Sequence, residues 1–430
     1  MRQIAYYHIV DIATFKKKLL RWSANFQQSI SLVGSTESNH GLHLKYDMLV
    51  AVEALTELSV SENGFDSLKS YHDSLKDWIF GYLSYDLKNE TEVLSSKNFD
   101  GLGFPQLYFF QPKWVFKIIG NDITIYFPES VERKEMQWLF KEINLTSTEV
   151  LSSNTIQVEK RTSKDEYRQA FQKLQHHISR GDIYEINYCQ EFFAEQVELN
   201  PIAVFENLFS ITQSPFSAYF QLNEHHLMCA SPERFIKKEH HKIISQPIKG
   251  TRARGATKQI DDKLKKELLE CRKEQSENVM IVDLVRNDLS KTAQPSSVRV
   301  EELFGVYSFL QVHQMISTVS SSLKDDIHWV DAIKSAFPMG SMTGAPKIMA
   351  MKLIEQHEAF KRSLYSGSVG YVTPHADFDF NVVIRSILYN SDKKYVSYSV
   401  GSAITSKATF ENEYQECELK GKAMLEVLNA

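Results

Sequence analysis

Lys249 is the residue of this sequence whose neighbours most strongly suggest a role in a chemical reaction. It stands in the stretch SQPIKGTRARG, residues 245–255, on a glycine-containing turn at the end of a predicted strand, with Arg252 and Arg254 close behind. A basic residue on such a turn is solvated in most proteins. The role of Lys249 therefore depends on what the rest of the chain brings to it.

Two predicted helices carry pairs of glutamates at a spacing of three, Glu274 with Glu277 and Glu413 with Glu416. Residues three and four apart share a helix face, so each pair can point one way, and Lys420 falls on the stripe of Glu416. A solvated acidic face explains either pair taken alone. Glu277, however, is followed by the apolar run VMIVDLV, which predicts a buried helix where a carboxylate needs a partner. An oxygen-ligated divalent cation such as Mg²⁺ is one candidate.

Three further segments suit an anionic ligand. The stretch FPMGSMTGAPK places Ser341 and Thr343 on a turn and Pro346 in the first turn of a predicted helix, where backbone N–H groups are available to an anion. Gly401 follows a strand and allows close approach of a ligand to the backbone. Arg385, in FNVVIRSILY, is costly to bury unless it meets a carboxylate. Neither a Walker lysine spacing nor GxGxxG is present, which disfavours a nucleotide.

The composition excludes several classes of protein. The chain has 430 residues, 43% hydrophobic and 24% charged, as in ordinary globular proteins. Its formal net charge of −5 argues against a general binder of nucleic acid or of membrane surfaces. No segment approaches the roughly 20 apolar residues of a membrane helix, and the first residues lack the apolar region of a signal peptide. The four cysteines follow no CxxC or metal-binding spacing, which indicates reduced thiols and a cytoplasmic protein.

The elements that must position these residues alternate irregularly between strands and helices. Since no linker or repeat divides the chain, we expect one large domain, or two that share contacts, with little chemistry at 1–159 and most of it at 160–430. The periodicity predicts helices at 164–182, 261–289, 346–357 and from 411 to the end, and strands at 183–193, 218–222, 243–248, 367–372, 381–389 and 395–400. Without a regular strand–helix–strand alternation, this mixture favours an α+β fold.

Taken in order, the segments of residues 161–430 resemble the chorismate-utilising enzymes, whose members make anthranilate, aminodeoxychorismate, isochorismate or salicylate. The segments that carry the resemblance are GDIYEINYCQEF, PFSAYF, SPERF, QPIKGTRARG, ENVMIVDLVRNDLSK, VHQMISTV, FPMGSMTGAPKIMAMKLIE, LYSGSVGYV, FNVVIRS, GSAIT and EYQECELKGKAML. Residues 1–159 look like the family's more variable first part. The resemblance implies a four-layered α/β/β/α sandwich, in which two large β-sheets pack together beneath outer helices, with an active site between the sheets. It also implies chorismate as substrate and Mg²⁺ as metal.

The resemblance gives Lys249 a specific role. Family members that make anthranilate, isochorismate or salicylate have alanine at this position, whereas the aminating members have PIKGT, as here. Lys249 would attack ring carbon 2 as the hydroxyl at carbon 4 leaves; ammonia would then add at carbon 4 and expel the lysine. An ordinary pKa of about 10.4 must fall to roughly 7 or 8, which requires about 3 to 5 kcal/mol. Burial, Arg252 and Arg254 are expected to lower it.

Two glutamates would share the catalysis. Glu233, in SPERF, matches the general acid for the departing hydroxyl, although a salt bridge to Arg234 is the alternative. Glu185 stands where water-activating relatives carry lysine and amine-forming relatives usually carry glutamine. The resemblance leaves open whether Glu185 orients ammonia, accepts its proton, or only hydrogen-bonds Lys249.

The remaining site residues follow from matched positions. Glu277 and Glu416 match the main Mg²⁺ ligands, and Glu274 and Glu413 match positions that ligate directly or through water. The set around the pyruvyl carboxylate is Tyr365, Arg385, Gly401 and Lys420, and the set lining the ring pocket is Thr251, His313 and Thr343. His313 could equally be a satisfied core histidine. The family's Gly-Gly-Gly-Ile is GSAI here, so Ser402 and Ala403 add side chains to that region.

The resemblance implies an amine-forming subunit on the route to 4-aminobenzoate and folate. No Cys-His-Glu triad of a glutamine amidotransferase is found in the sequence, so ammonia would come from a separate amidotransferase partner. An anthranilate-forming large subunit and a non-catalytic binding subunit are the alternatives. Some relatives bind tryptophan near a PFS segment, here Pro215–Ser217, together with an N-terminal strand; the loose match SLVGSTESN does not decide whether that site exists here.

Overall fold

The protein is described by a computed structural model over residues 2–34, 42, 44–150 and 154–429, so part of SLVGSTESN, residues 35–39, lies outside the described residues. The helices are α1 Ile12–Ser23, α2 Gly64–Leu75, α3 Lys88–Thr91, α4 Arg133–Leu145, α5 Lys164–Arg180, α6 Pro201–Thr212, α7 Lys258–Glu270, α8 Arg272–Ser290, α9 Trp329–Ala336, α10 Lys347–His357 and α11 Phe410–Leu428. The strands are β1 Arg2–His8, β2 Gln28–Val33, β3 Met48–Val60, β4 Ile79–Leu83, β5 Leu107–Ile119, β6 Asp122–Pro128, β7 Glu159–Lys160, β8 Glu185–Ala194, β9 Phe216–Leu222, β10 His225–Ser231, β11 Arg234–Glu239, β12 Lys242–Gln246, β13 Ile248–Ala253, β14 Arg299–Ser308, β15 Val312–Ser322, β16 Gly344–Ala345, β17 Ser368–Val372, β18 Phe378–Asn381, β19 Ser386–Asn390 and β20 Tyr395–Thr405.

The strands form two antiparallel sheets joined through β5. The first sheet runs β1–β6–β5–β3–β2–β9–β10–β19–β20–β8, with β7 and β16 also paired to β8. The second runs β4–β17–β18–β11–β12–β15, with β13 and β14 also paired to β15. The long β5 pairs with β4 as well as with β3 and β6, and so belongs to both sheets.

Apolar residues on the facing sides of the sheets form an aromatic-rich core, in which Phe109 packs on Phe380 and Tyr82 on Phe220 with ring centroids 6.1 and 5.4 Å apart. A second core lies under α1, α4–α6, α10 and α11 on the outer side of the first sheet. Helices α2 and α7–α9 lie against the second sheet or one another. The predicted four-layered α+β sandwich is confirmed. No described helix is long and apolar enough to span a membrane.

Local sequence signals explain several element boundaries. Ser163 and Glu166 form a capping box that begins α5, and Gly181 ends it in the left-handed conformation with φ 82°. The N-terminal residues complete both sheets, since β2 pairs with β9 and β4 with β17. The division at residue 159 stays a prediction.

Two predicted elements are interrupted, both near the site. The single helix expected at 261–289 is two helices, because Cys271 is extended, with φ −71° and ψ 104°, and ends α7 before α8 begins. The strand expected at 381–389 breaks after β18, where Val382 donates its backbone N–H to Glu233 and Arg385 takes a left-handed φ of 53°. Glu274 follows the first interruption and Arg385 lies in the second, so both interruptions are close to residues that the family match assigns to the site.

Candidate active site

Lys249 and Glu185 meet between the two sheets. Lys249 belongs to β13 of the second sheet, Glu185 is the first residue of β8 in the first, and Lys249 Nζ donates directly to Glu185 Oε1. Both side chains are buried, with 11% and 8% of their surfaces exposed. The contact therefore holds an amine and a carboxylate together where little water can reach them.

The neighbours of Lys249 favour its charged form. Burial lowers the pKa of Lys249, but the Glu185 carboxylate, helped by Glu277 and Glu416, outweighs burial, so the pKa lies above its ordinary value. The expectation of a lowered pKa is therefore wrong for this structure. Lys249 needs a proton acceptor before it can act as a nucleophile.

The two arginines behind Lys249 also face elsewhere. Arg252 Nη1 lies 3.7 Å from Glu274 Oε1. Arg254 donates to both carboxylate oxygens of Asp261, at 2.8 and 2.7 Å. Arg254 and Arg252 thus pair with acidic residues of α7 and α8, respectively, and neither arginine is among the main influences on the pKa of Lys249.

Glu233 is a buried carboxyl group just before β11, with 5% of its surface exposed. Burial raises the pKa of Glu233 to about 7, although a hydrogen bond from Ser341 and the nearby Lys249 ammonium act in the opposite direction. A carboxyl group with this pKa can give and take a proton near neutral pH. The alternative partner, Arg234, instead donates to Asp379 at 2.8 and 2.9 Å.

The four predicted metal ligands come from the first two turns of α8 and α11. Burial and the neighbouring Glu416 raise the pKa of Glu413 to about 7, and burial raises the pKa of Glu277. Burial would also raise the pKa of Glu416, but Lys420 outweighs it, so that pKa lies below its ordinary value. Crowded, half-desolvated carboxylates of this kind are stabilised by a cation.

An oxygen-ligated divalent cation fits this set of donors, which consists of carboxylates alone. The ammonium of Lys273 interacts favourably with all four glutamates and lies 3.7 Å from Glu277 Oε1. Among the described residues, no three of these carboxylates place oxygens within 4.8 Å of one another. Ligation would therefore require the side chains of α8 and α11 to close in on the ion.

Arg385 offers unused hydrogen-bond donors. Its Nη1 donates to the backbone oxygen of Lys420 at 2.9 Å, and no carboxylate hydrogen-bonds it within the described part of the chain. Burial lowers the pKa of Arg385, which the nearby Tyr365 and Glu416 offset only in part. The remaining guanidinium donors are available to an anionic ligand.

The other residues predicted around the pyruvyl carboxylate are held close to Arg385. Lys420 Nζ lies 2.6 Å from Glu416 Oε1, as their shared stripe predicts, and donates to the Gly401 oxygen at 2.9 Å. A side chain at Gly401 would place its Cβ 2.5 Å from Cys189 Sγ. The buried Tyr365 hydroxyl contacts the same sulfur at 3.8 Å. Gly401 is thus required for packing as well as for access to the backbone.

The three predicted ring-pocket residues differ in their surroundings. His313 is 1% exposed, and its two ring nitrogens lie 2.8 Å from Ser308 Oγ and 2.9 Å from Asp261 Oδ1, as in a satisfied core histidine. Thr343 is fully buried beside the turn before α10, whereas Thr251 is exposed on β13. Thr343 and His313 are therefore both buried, but the ring nitrogens of His313 already have protein partners, and Thr251 lacks the buried position expected of a pocket residue.

Three residues of the site were missed as site residues from the sequence. Lys273 lies four residues before Glu277, a spacing that places oppositely charged side chains on one helix face and could have revealed it. Ser341 was noted only for the turn before α10, and nothing in the sequence links it to Glu233. Asp261, which holds both Arg254 and His313, had no signal at all.

Comparison with known proteins identifies the family. The chorismate binding enzymes match this chain over residues 20–426. The chain belongs to that family. This chorismate-binding enzyme is 31% identical over 372 residues to aminodeoxychorismate synthase component 1 of Bacillus subtilis, covering 81% of the chain and 76% of that protein. It is also 31% identical over 358 residues to anthranilate synthase component 1 of Thermus thermophilus, covering 81% of the chain and 77% of that protein.

A solved structure supports the fold of this chorismate-binding enzyme. Anthranilate synthase component I of Streptococcus pneumoniae superposes with a TM-score of 0.79 over 88% of this chain and 91% of that chain, at 24% identity. Because two relatives named for different products match at the same identity and with nearly the same coverage, overall identity does not select the reaction. The selection rests on the side chains in the cleft.

Proposed function

We propose that this enzyme aminates chorismate at ring carbon 4, giving 4-amino-4-deoxychorismate. The observation that carries the proposal is Lys249, an amine held in the cleft between the sheets and in contact with Glu185. The family resemblance implies alanine at that position in the enzymes that make anthranilate, isochorismate or salicylate. An amine there supplies a nucleophile that the alanine-containing relatives lack.

In this proposal, Glu185 accepts the proton that Lys249 loses. Its carboxylate already accepts a hydrogen bond from Nζ, so the proton passes from Lys249 to Glu185 as the substrate enters and excludes the remaining water. The neutral amine then attacks ring carbon 2. When the lysine is expelled later, Nζ recovers the proton from Glu185, and both residues return to their starting forms.

Glu233 acts as the general acid for the bond that breaks at carbon 4. In its protonated form, which a pKa of about 7 keeps populated, it gives its proton to the departing hydroxyl, which leaves as water. Ammonia adds at the same carbon, and the proton that it loses returns to Glu233. The whole reaction consumes chorismate and ammonia and yields the amine and water, with every enzyme group restored.

Mg²⁺ would be held by Glu277 and Glu416, with Glu274 and Glu413 ligating directly or through water. When bound, it would neutralise the ring carboxylate, which the glutamates otherwise repel. The free donors of Arg385 support a role for this residue, beside Lys420, in binding the pyruvyl carboxylate. His313 must release Asp261 or Ser308 if it is to contact the ring.

A separate glutamine amidotransferase supplies the ammonia in this proposal, and the product leads to 4-aminobenzoate and folate in the cytoplasm. The match to a protein named as component 1 of a synthase supports a second component. Glutamine alone should therefore give no product with this chain, whereas an ammonium salt should.

The test is to incubate the purified chain with chorismate, Mg²⁺ and an ammonium salt at mildly alkaline pH, and to identify the product by mass spectrometry. We expect aminodeoxychorismate without pyruvate, and its loss in Lys249→Ala. Lys242→Ala is the matched control, because Lys242 is an exposed, ion-paired lysine on β12. Anthranilate as the main product would favour the second candidate, an anthranilate synthase large subunit, which the Thermus relative supports. Either that result or full activity in Lys249→Ala would overturn the role of Lys249.

A further inference from the structure

Asp261 is the centre of a hydrogen-bond network beside the residues that were matched to the site. It lies in the first turn of α7, and its side chain is 15% exposed. Arg254 donates to both of its carboxylate oxygens, at 2.8 and 2.7 Å, and the backbone N–H of Gly255 donates to Oδ1 at 2.8 Å. His313 Nε2 lies 2.9 Å from the same Oδ1. One carboxylate thus joins the end of β13, the start of α7 and the start of β15.

The carboxylate of Asp261 is held in place by its neighbours. Arg254 Nη1 also donates to the backbone oxygen of Phe309 at 2.6 Å, which anchors the guanidinium to the turn between β14 and β15. A side chain at Gly255 would place its Cβ 2.3 Å from the backbone nitrogen of Asp261, so these two segments are in contact. The hydrogen bond from Arg254 holds the pKa of Asp261 well below its usual range. Asp261 is therefore ionised at neutral pH and can only accept hydrogen bonds.

An ionised Asp261 determines which ring nitrogen of His313 carries the proton. Because the carboxylate can only accept, Nε2 must be protonated and donate to it. In the neutral ring, Nδ1 then has a lone pair, which accepts from the Ser308 hydroxyl at 2.8 Å.

The two hydrogen bonds of the His313 ring are unequal. A hydrogen bond to an ionised group is stronger than one between neutral groups, so the bond to Asp261 is the stronger of the two. Ser308, at the end of β14, is exposed, and its hydroxyl can exchange the ring for water. Ser308 is therefore the partner that His313 gives up more readily.

We propose that Asp261 is a positioning residue that holds His313 as the Nε2–H tautomer and leaves Nδ1 to face the substrate. The inference rests on the proposed place of His313 in the ring pocket, and goes beyond it by naming which of the two ring contacts is released. A lone pair at Nδ1 accepts a hydrogen bond, so the substrate group that it suits is a donor such as a hydroxyl.

Nitrogen-15 NMR of the histidine rings tests the tautomer directly, because protonated and unprotonated ring nitrogens have different chemical shifts. The signals of His313 are identified by their loss in His313→Gln. At mildly alkaline pH we expect the proton on Nε2 in the unaltered chain. In Asp261→Asn we expect a proton on Nδ1 in part of the population, because an amide, unlike a carboxylate, can donate to Nε2. Chorismate with Mg²⁺, added without ammonium, should shift the Nδ1 signal more than the Nε2 signal.

Steady-state kinetics separate this role from a purely structural one. Asp261→Asn should lower kcat/KM for chorismate about 10- to 100-fold, the range for loss of one hydrogen bond to a charged group. Ser308→Ala is the matched control, because it removes the other partner of the same ring from an exposed position. This control should keep the Nε2–H tautomer and lower kcat/KM less than Asp261→Asn does. Thermal unfolding of each variant checks that folding is preserved.

Three results would each overturn the inference. They are a proton on Nδ1 instead of Nε2 in the unaltered chain, a chorismate-induced shift confined to Nε2, and equal losses of kcat/KM in Asp261→Asn and Ser308→Ala. Anthranilate as the main product of the unaltered chain would overturn the proposed amination instead. That result would leave the inference on Asp261 intact, because an anthranilate-forming enzyme of this family would bind the same substrate.

Discussion

Two arginines of this enzyme, the buried Arg362 and the partly buried Arg385, differ in how completely they are paired. Arg362 donates twice to Glu358, at 2.9 and 2.6 Å, and also to the backbone oxygens of Met342 and Asn187, at 2.6 and 2.8 Å. Arg385 makes one hydrogen bond, to the Lys420 oxygen, within the described residues. The more completely paired arginine, Arg362, is also the more deeply buried one.

The difference in pairing distinguishes an arginine that stabilises the fold from one that is available to a ligand. A buried charge is tolerated when all its donors are satisfied, and Arg362 therefore stabilises the junction of β8, the turn before α10 and the segment before β17. An incompletely paired charge is costly to the free protein, and is retained where a ligand completes the pairing. Substitution of each arginine, followed by measurement of stability and of activity, tests this distinction.

Removal of Arg362 should have the largest effect on stability. Arg362→Met leaves the Glu358 carboxylate buried without its partner, and breaking such a pair costs about 3–5 kcal/mol. Urea unfolding monitored by circular dichroism measures the loss. Arg385→Met, compared under the same conditions, should cost less than about 1 kcal/mol. Equal unfolding midpoints for the two variants would contradict the distinction between a paired and an unpaired arginine.

Arg385→Met should instead reduce function. Loss of the guanidinium removes the charge proposed to bind the pyruvyl carboxylate, so kcat/KM for chorismate should fall about 100-fold, or about 2.7 kcal/mol. Steady-state kinetics at fixed ammonium and Mg²⁺ concentrations measure the change. An unaltered kcat/KM would show that the free donors of Arg385 do not meet the substrate.

The sequence predicted the layers of this fold better than it predicted the pairing of the candidate site residues, whose roles stay predictions. Helix and strand periodicity and the ordered family segments were sufficient for the sandwich, because both depend on local patterns. The break at Cys271 escaped notice since no glycine or proline marks it. The raised pKa of Lys249 was missed because it depends on Glu185, 64 residues away on the other sheet.

Glu233 extends the comparison from arginines to a carboxyl group. Its folded pKa of about 7 lies above the ordinary value of 4.5, because burial disfavours the charged form. The contribution of Glu233 to stability is therefore fully present below pH 4.5 and is lost as the pH rises to 7, since the unfolded chain ionises first. Glu233→Gln cannot ionise and avoids this loss. We expect the variant to be about 2 kcal/mol more stable than the unaltered chain at pH 8, and similar to it at pH 4.

Urea unfolding at the two pH values measures this difference. Glu413, whose pKa is also raised to about 7, is present in both proteins and cancels in the comparison. Because Glu233 is the proposed general acid, the more stable variant should also lose amination activity. Equal stabilities at pH 8 would mean that the ionised carboxylate is well solvated in the folded protein, and Glu233 would then have no reason to stay protonated near pH 7.

Glu185→Gln should produce the smallest and most specific change. The amide keeps the shape of the side chain but removes the negative charge that raises the pKa of Lys249, so burial then dominates and the pKa falls. At constant free ammonia, the rising limb of the amination rate should move to lower pH by about one unit, or about 1.4 kcal/mol. The plateau should also fall, because an amide cannot accept the lysine's proton. If the plateau falls but the rising limb does not shift, Glu185 acts as a base without controlling the pKa of Lys249. If the rising limb shifts but the plateau does not fall, the proton of Lys249 leaves to water and Glu185 acts by its charge alone.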